Sequence, residues 1–336
     1  MMQQGKRILL CLITLVMVIG FVPFGAFANE TVSNNVVGVT AQQLILGDDL
    51  TMRFYVTVYD SHKENSKMNI TVEGETVTHP ISEMEPNGAG QYVFSVDLAA
   101  AQMTSEIKLN FISDNESVFE KTYTIKEYAI VILEGNYPIE TKQMVIEMLN
   151  YGTKAQRYFK HNLEKQANDG FEMEESVVIP SDISSVTVSG DLEGIKYYGA
   201  TLVFDARLAV RYYFYAPNGV DGYTFTANNT TYTACARDGL FYIEIPEINP
   251  QDLDKNVEIT VTTGNTDDQL TVNYSPMHYI SRMYYKDSAS AELKSLILAL
   301  YSYHKMAVLF TNTGDILDLM PVQPGDYNLG TDIPQL

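Results

Sequence analysis

Tryptophan is absent from this chain of 336 residues, and cysteine occurs only at positions 11 and 235. Two cysteines allow at most one intramolecular disulfide, so the fold must be stabilised mainly by burial of apolar side chains. Basic residues are also scarce: 22 Lys and Arg stand against 42 Asp and Glu, and the formal net charge is −20. Such an acidic chain repels nucleic-acid phosphates and anionic lipid surfaces, which excludes nucleic-acid binding.

Motifs of the common catalytic and metal-binding classes are missing as well. The sequence has no Gly-x-Ser-x-Gly elbow, no Walker loop and no EF-hand loop. The histidines have no ligand spacing such as His-x-x-x-His, and we expect structural or solvent-exposed roles for them. They are His62, His79, His161, His278 and His304. We interpret Cys235 as a small apolar core residue of a strand, and we predict no metal, no cofactor and no catalytic residue.

Paired carboxylates are a further possible catalytic arrangement, because a glycoside hydrolase requires only two well-placed acids. With 42 acidic residues, adjacent pairs are expected by chance. A glycoside hydrolase is therefore the least favoured of three functional interpretations. The candidate catalytic acids are Asp48 with Asp49, Asp205, Glu244 with Glu247, and Asp267 with Asp268.

The N-terminus has the pattern of a secretion signal. Lys6 and Arg7 precede an apolar stretch from Ile8 to Val22, and Ala26-Phe27-Ala28 is a small-x-small cleavage site. We expect cleavage after Ala28, because the apolar run is shorter than the roughly 20 residues of a spanning helix. The mature protein would then carry a net charge of −22, one cysteine and no integral membrane segment.

An internal duplication accounts for most of the mature chain. The segment from Gly47 to Asp60 returns as the segment from Asp205 to Asn218, and a constant offset of 151 relates Tyr123 to Tyr274 and Phe159 to Phe310. We therefore predict two homologous modules with a linker and a tail. The boundaries are 1–28 for the signal peptide, 29–167 for module 1, 168–182 for an acidic hinge, 183–311 for module 2 and 312–336 for an irregular tail.

Each module begins with period-two alternation and ends with helical periodicity. In Leu50 to Val58 apolar and polar residues alternate, as in a half-buried strand. The other predicted strands of module 1 are 36–46, 68–77, 90–97, 105–112 and 117–124. Those of module 2 are 185–190, 196–204, 208–214, 222–227, 230–236, 239–245, 256–263 and 269–274.

Helices are predicted at 123–133 and 141–163, and again at 274–284 and 289–310. We predict an α+β fold of two tandem homologous modules. Each would be an antiparallel β-sandwich with its own core, followed by a C-terminal helical hairpin.

The segment from Leu149 to Phe159, together with Leu50 to Tyr55 and the stretch from Tyr92 to Met103, resembles a known but uncharacterised family. This family is a duplicated β-sandwich-plus-helix module of secreted and cell-surface proteins from Gram-positive anaerobes. The resemblance covers nearly all of residues 36–310 and implies location and architecture, but no established activity. Module 2 departs from the motif where module 1 has Gly152 and Gln156, so any role of these two residues is not shared.

Arg53 and Arg211 occupy the same mid-strand position in the two copies, each beside a tyrosine, Tyr55 or Tyr213. A half-buried arginine needs an acidic partner or an aromatic plate to offset its desolvation. Two interpretations stay open: a structural stack or salt bridge, and a polar anchor in a ligand groove. The 23 tyrosines add a little support to the second, because they offer flat apolar faces with polar rims, but strand propensity explains most of them.

Module 2 is the expected ligand-binding module. It has Tyr197 and Tyr198 where module 1 has Val39 and Thr40, and Tyr215 adds a further ring. We expect a secreted or cell-surface, non-enzymatic binding or adhesion protein whose partner is an extracellular polysaccharide or protein. The alternative is a structural spacer or assembly component of the cell surface without a specific ligand. The sequence leaves the oligomeric state open.

Overall fold

The computed structural model describes ten ranges of the chain and shows a mixed α+β fold. Within them, four antiparallel sheets accompany four α-helices, as the sequence predicts. Most of the predicted leader, the middle of the predicted hinge and the whole tail at 312–336 lie outside the described residues. The described ranges are 17–23, 37–47, 49–59, 62–169, 177–181 with 183, 186–205, 207–246, 248–264 and 268–311.

Two sheets build the part of the chain called module 1. One has the strand order β1-β2-β3-β6, and the other has the order β5-β4-β7-β8. All neighbouring strands in both sheets are antiparallel. The strands are β1 (Met17–Pro23), β2 (Val37–Leu46), β3 (Leu50–Val58), β4 (Ser66–Val72), β5 (Glu75–Pro80), β6 (Tyr92–Leu98), β7 (Ile107–Ser113) and β8 (Glu116–Tyr123).

The inner faces of these two sheets meet in an apolar core. Along β3 every second residue is buried, which is the period-two pattern of the sequence. From this strand the ring of Phe54 contacts the ring of Tyr123 on β8, with centroids 5.0 Å apart. Strand β1 falls inside the predicted leader, and its backbone pairs with β2 from Met17 opposite Leu46 to Pro23 opposite Ala41.

The predicted single strand at 68–77 is wrong, because the chain reverses at Glu73 and Gly74. Both residues have positive φ, 51° and 87°. A two-residue turn of this kind matches the twist of an antiparallel hairpin, which β4 and β5 form on either side. Glutamate at the first turn position is not a usual hairpin signal, which is why the sequence pattern does not predict the reversal.

Module 2 contains the other two sheets. Their strand orders are β10-β11-β15-β14 and β13-β12-β16-β17-β9. The rings of Phe214 and Phe225, one from each sheet, contact each other with centroids 5.4 Å apart. The strands are β9 (Thr187–Gly190), β10 (Lys196–Phe204), β11 (Leu208–Tyr215), β12 (Thr224–Ala227), β13 (Thr230–Tyr232), β14 (Cys235–Arg237), β15 (Leu240–Ile245), β16 (Val257–Thr262) and β17 (Gln269–Tyr274).

The predicted strand at 230–236 is also wrong as a single element. Strand β13 pairs with β12 in one sheet, whereas β14 pairs with β15 in the other. The chain therefore crosses between the sheets after Tyr232. This crossing places Cys235 on a short edge strand, where it is exposed and not the core residue that its apolar neighbours indicated.

The helices follow the strands in both modules. Thr124 caps α1 in a capping box with Glu127, since the Thr124 hydroxyl accepts from the Glu127 backbone and the Glu127 carboxylate accepts from the Thr124 backbone. Ser275 caps α3 by accepting from the backbone N–H of Met277, with Pro276 at the first helical position. The helices are α1 (Ile125–Glu134), α2 (Ile139–Phe159), α3 (Pro276–Tyr284) and α4 (Ala291–Thr311).

Helices α2 and α4 pack along each other and join the two modules. Between them the ring of Tyr151 stacks on the ring of Tyr303. The buried apolar residues of both modules form one contiguous cluster. The expectation that each module has its own separate core is therefore wrong, because the apolar faces of the two long helices are buried against each other.

Both described ends of the predicted hinge are packed against the modules. Asn168 is buried, and its backbone N–H donates to the hydroxyl of Thr153 on α2. Ile179 is fully buried, and its carbonyl accepts from the hydroxyl of Tyr285 at 2.6 Å. These ends of the linker are therefore part of the folded structure. The central part of the hinge lies outside the described residues.

Candidate functional site

Arg211 has both of the partners that its depth in the sheet requires. It lies on β11 directly opposite Glu244 on β15, and its Nε donates to the Glu244 carboxylate at 2.8 Å. Its guanidinium carbon lies 4.5 Å from the centre of the Tyr242 ring, a cation–π distance. The arginine charge is thus neutralised from one side and shielded by an aromatic ring from another.

Electrostatics hold this arginine in its charged form. Burial opposes the charge and by itself lowers the pKa of Arg211. The hydrogen bonds with Tyr213 and Glu244, and the negative charge of Glu244, outweigh this effect, so the pKa of Arg211 is raised. The side chain is only 17% exposed, compared with 39% for Glu244, so the carboxylate is the more accessible member of the pair.

Tyrosines continue the same face of the sheet. Because side chains alternate along a strand, Tyr213 and Tyr215 share the face of Arg211. Tyr213 lies opposite Tyr242 on β15, and their ring centroids are 6.1 Å apart. A hydrogen bond with Cys235 on β14 raises the pKa of Tyr242. We call the outward-facing group Arg211, Tyr213, Tyr215, Tyr242 and Glu244 the tyrosine face.

One end of the tyrosine face is open to solvent. Tyr215 is 49% exposed and lines a shallow groove of about 530 Å³ together with Pro217, Arg237 and Phe241. Tyr198 is 71% exposed, in the irregular stretch where β10 shifts register against β11. This face therefore offers a broad, shallow surface and not a deep cleft.

Tyr197 does not belong to this surface. Its ring contacts the fully buried ring of Phe214 on the inner side of the sheet, and burial raises the pKa of Tyr197 to about 12. The sequence analysis predicts both Tyr197 and Tyr198 as ligand-binding residues because they are adjacent in the chain. Adjacent strand residues point to opposite sides of a sheet, so only Tyr198 can meet a ligand there.

In module 1 the repeated arginine and tyrosine lie opposite other cross-strand partners. Arg53 on β3 lies opposite Ser95, to whose hydroxyl its Nε donates at 3.4 Å. Tyr55 lies opposite Val93, and its hydroxyl donates to the side-chain carbonyl of Gln43 at 2.9 Å. The cross-strand partners of the repeated arginine and tyrosine are thus Ser95 and Val93 in module 1, but Glu244 and Tyr242 in module 2.

A second polar cluster, which the sequence analysis missed, joins the turn between β4 and β5 to the end of α2. The Glu73 carboxylate accepts from Ser105 at 2.6 Å and from Gln102 at 2.9 Å, and lies 2.7 Å from Nε2 of His161. Burial raises the pKa of Glu73, but these hydrogen bonds and His161 outweigh it, so the pKa is lowered. The carboxylate lies between Ser105 and His161, whereas nucleophilic catalysis needs the histidine in the middle.

Of the candidate acids that the structure describes, Asp49 and Glu244 are engaged in ion pairs. Asp49 forms an ion pair with Arg207 at 3.0 Å, across the junction of the modules. Asp205 and Asp49 line a small pocket beside Tyr303. Asp48, Glu247 and Asp267 lie outside the described residues. Within the described ranges, no group of three or more His, Cys, Asp or Glu side chains could hold a metal ion.

Comparisons with known proteins add little to this geometry. No protein-family model and no curated protein matches the chain. One solved structure that matches is a chimeric titin Z1Z2–Z1Z2 tandem functionalised with an exogenous GRGDS peptide from fibronectin. It is 7% identical, with a TM-score of 0.17, over 68% of this chain and 89% of that one. In the part of the chain that the structure describes, no helix is both long and apolar enough to cross a bilayer.

Proposed function

We propose that this is an exported, non-enzymatic binding protein that holds an extracellular polysaccharide on the tyrosine face of module 2. The observation that carries the proposal is the alignment of Tyr213, Tyr215 and Tyr242 on one outward sheet face, around the Arg211–Glu244 pair. Tyrosine rings pack against the apolar faces of sugar rings, while their hydroxyls and the exposed Glu244 carboxylate can bond to sugar hydroxyls.

Charge favours an uncharged ligand. The pair of Arg211 and Glu244 is neutral, and the mature protein carries a formal charge of −22 after loss of Lys6 and Arg7. Polymers rich in uronate or sulfate groups would be repelled by such a surface. The open shape of the site also suits the side of an extended polymer better than the end of a short oligosaccharide.

Affinity electrophoresis and titration calorimetry against soluble glucans, mannans and xylans test this proposal. Mature protein should be retarded by at least one uncharged polysaccharide. Tyr242→Ala and Tyr215→Ala should each weaken binding about tenfold, equivalent to about 1.4 kcal/mol. Tyr59→Ala is a matched control, because Tyr59 is similarly exposed at 45% but lies in module 1. Blank results with every polysaccharide, or equal losses for Tyr59→Ala, would overturn the assignment.

Export itself is part of the proposal and can be tested separately. It rests on the basic start, apolar stretch and small-x-small site of residues 1–28. N-terminal sequencing of protein recovered from the culture medium or cell surface should give Asn29 as the first residue. Material found only inside cells with Met1 intact would contradict export.

We also infer that the two modules arose by duplication. Both run through two antiparallel sheets into a short and a long helix, and the paired helices begin 151 or 152 positions apart. An experimental structure in which residues 37–159 do not superpose on residues 196–311 would refute this inference.

A structural spacer is the second candidate, and the junction between the modules favours it. Helices α2 and α4 pack together, and Arg207 bridges to Asp49 and Asp97 of module 1. Such a junction would hold the modules at a fixed spacing. The spacer interpretation is preferred if small-angle scattering shows a rigid particle while all polysaccharides and extracellular proteins fail to bind.

A further inference from the structure

Strand β2 becomes a sheet edge once the leader is removed. Its outer neighbour in the first sheet is β1, and β1 lies entirely within the predicted signal peptide. Cleavage after Ala28 would therefore leave the outer backbone N–H and C=O groups of β2 without their strand partner. Unpaired edges of this kind readily accept a further strand.

Among the edges that the described sheets would have after loss of β1, β2 is the one without protection. It has ten residues, none charged and none proline. The other outer strands carry the features that discourage pairing, namely charge, proline or short length. Those strands are β5 with Glu75 and Pro80, β6 with Asp97, β8 with Glu116, Glu120 and Lys121, β10 with Lys196, β14 with Arg237, and β9 and β13 with four and three residues.

Strand β1, which pairs with β2, indicates what kind of strand this edge can bind. Strand β1 is uncharged, runs antiparallel to β2, and pairs with it from Ala41 to Leu46. In the mature chain, β2 itself has the same chemistry, because it is uncharged, largely apolar and already extended. A second copy of β2 can thus replace β1, and antiparallel pairing about a two-fold axis satisfies both edges at once.

We propose that the mature protein forms a symmetric dimer through antiparallel pairing of β2 with β2 of a second copy. The proposal rests on removal of the leader, which belongs to the proposed function. It gives a continuous six-stranded sheet with the order β6-β3-β2-β2-β3-β6. Since β2 has no charged residue, pairing two copies of β2 brings no carboxylates of these strands together. The overall charge still repels, so dimerisation strengthens as salt is added.

Light scattering coupled to size exclusion tests the dimer on protein that begins at Asn29. The expected mass is that of two chains, with the monomer fraction falling as salt rises. Gln43→Lys places a charge near the middle of the edge and should give a monomer. Mixing Gln43→Lys with Gln43→Glu protein should restore a dimer, because opposite charges then face each other across the axis.

Two control variants distinguish loss of β2 pairing from a general disturbance of the sheet. Thr57→Lys adds the same charge to the same sheet on β3, one strand further in, and should remain dimeric. Tyr55→Phe removes the hydrogen bond to Gln43 without adding charge, and should also remain dimeric. Unchanged circular dichroism and melting temperature would show that each variant folds.

Three results would overturn the proposal: a monomer at the highest concentration and salt reached, a dimer that Gln43→Lys leaves intact, or a Gln43→Lys and Gln43→Glu mixture that stays monomeric. Chain that keeps residues 17–23 should be monomeric, because β1 covers the edge. Polysaccharide binding is read independently through Tyr242→Ala, so loss of the dimer and failure of the proposed function are distinguishable.

Discussion

The ring of Tyr151 on α2 stacks on the ring of Tyr303 on α4, with centroids 5.8 Å apart and planes inclined by 16°. Both side chains are buried, and burial raises the pKa of each above its ordinary value. This contact lies where the two modules meet. Tyr151 and Tyr303 are far apart in the sequence, one in each module. Their contact therefore couples the stability of one module to that of the other.

Replacing Tyr303 tests that coupling. Tyr303→Ala removes a buried ring and should cost about 3–5 kcal/mol of unfolding free energy. It should also split a single calorimetric transition into two, because the modules lose their shared packing. Tyr303→Phe is the matched control. The Tyr303 hydroxyl is buried without a hydrogen-bond partner, so its removal should be neutral or stabilising by about 1 kcal/mol.

Gly152 on α2 allows a close approach that a larger residue would prevent. A Cβ at this position would lie 2.3 Å from the Met103 sulfur and 3.2 Å from the Ala100 carbonyl oxygen. Gly152→Ala should therefore cost about 1–3 kcal/mol in chemical denaturation. The cost should shrink in a Met103→Ala background, because the nearest clashing atoms are gone. Equal costs in both backgrounds would show that the sulfur contact does not limit the substitution.

His304 makes stability depend on pH. Burial lowers the pKa of His304 below its ordinary value of 6.5, although the hydrogen bond with the Pro250 carbonyl opposes this shift. The unfolded chain then binds a proton at higher pH than the folded chain does. The contribution of His304 to the free energy of unfolding is therefore fully present above about pH 6.5. It is lost as the pH falls from there towards the pKa of His304 in the folded protein.

Urea denaturation at about pH 7.5 and about pH 5.5 measures this dependence. His304→Asn keeps a donor near the Pro250 carbonyl but does not titrate, so it should lose less stability than the parent protein between these two conditions. Parallel losses in the two proteins would assign the pH dependence to other groups.

Arg211 and Arg53 should differ in their contribution to stability. Arg211→Ala removes the stack on Tyr242 and leaves Glu244 without its partner, and we expect a cost of about 1–2 kcal/mol. Arg53→Ala removes a long bond to an uncharged hydroxyl and should cost less than about 0.5 kcal/mol. Urea denaturation of both variants, with Arg211→Lys as a further control, checks this order. Equal costs would indicate that the two arginines are structurally equivalent.

The sequence predicted most of the secondary structure because the periods are local. Alternation along Leu50 to Val58 and helical spacing along 141–163 appear as β3 and α2, with ends shifted by a few residues. The reversal at Glu73 was missed because its turn depends on positive φ values that glutamate seldom adopts. The break between β13 and β14 after Tyr232 was missed because it depends on the pairing of β14 with β15 in the other sheet, which is a non-local contact.

The candidate site was predicted only in part, for a related reason. Arg211, Tyr213 and Tyr215 share a face through their spacing, which a sequence shows directly. Glu244 and Tyr242 join them through the register between β11 and β15, which is a non-local property. The packing of α2 on α4 is non-local too, since an apolar stripe on a helix does not indicate which element will cover it.

The shared packing of α2 and α4 has a consequence for biogenesis. Synthesis delivers the chain from its N-terminus, so α2 is made well before α4. During that interval the side of α2 that packs on α4, including Tyr151, lacks its native partner and stays open to misassociation. The first module therefore completes its native packing only when the last helix of the second has been synthesised.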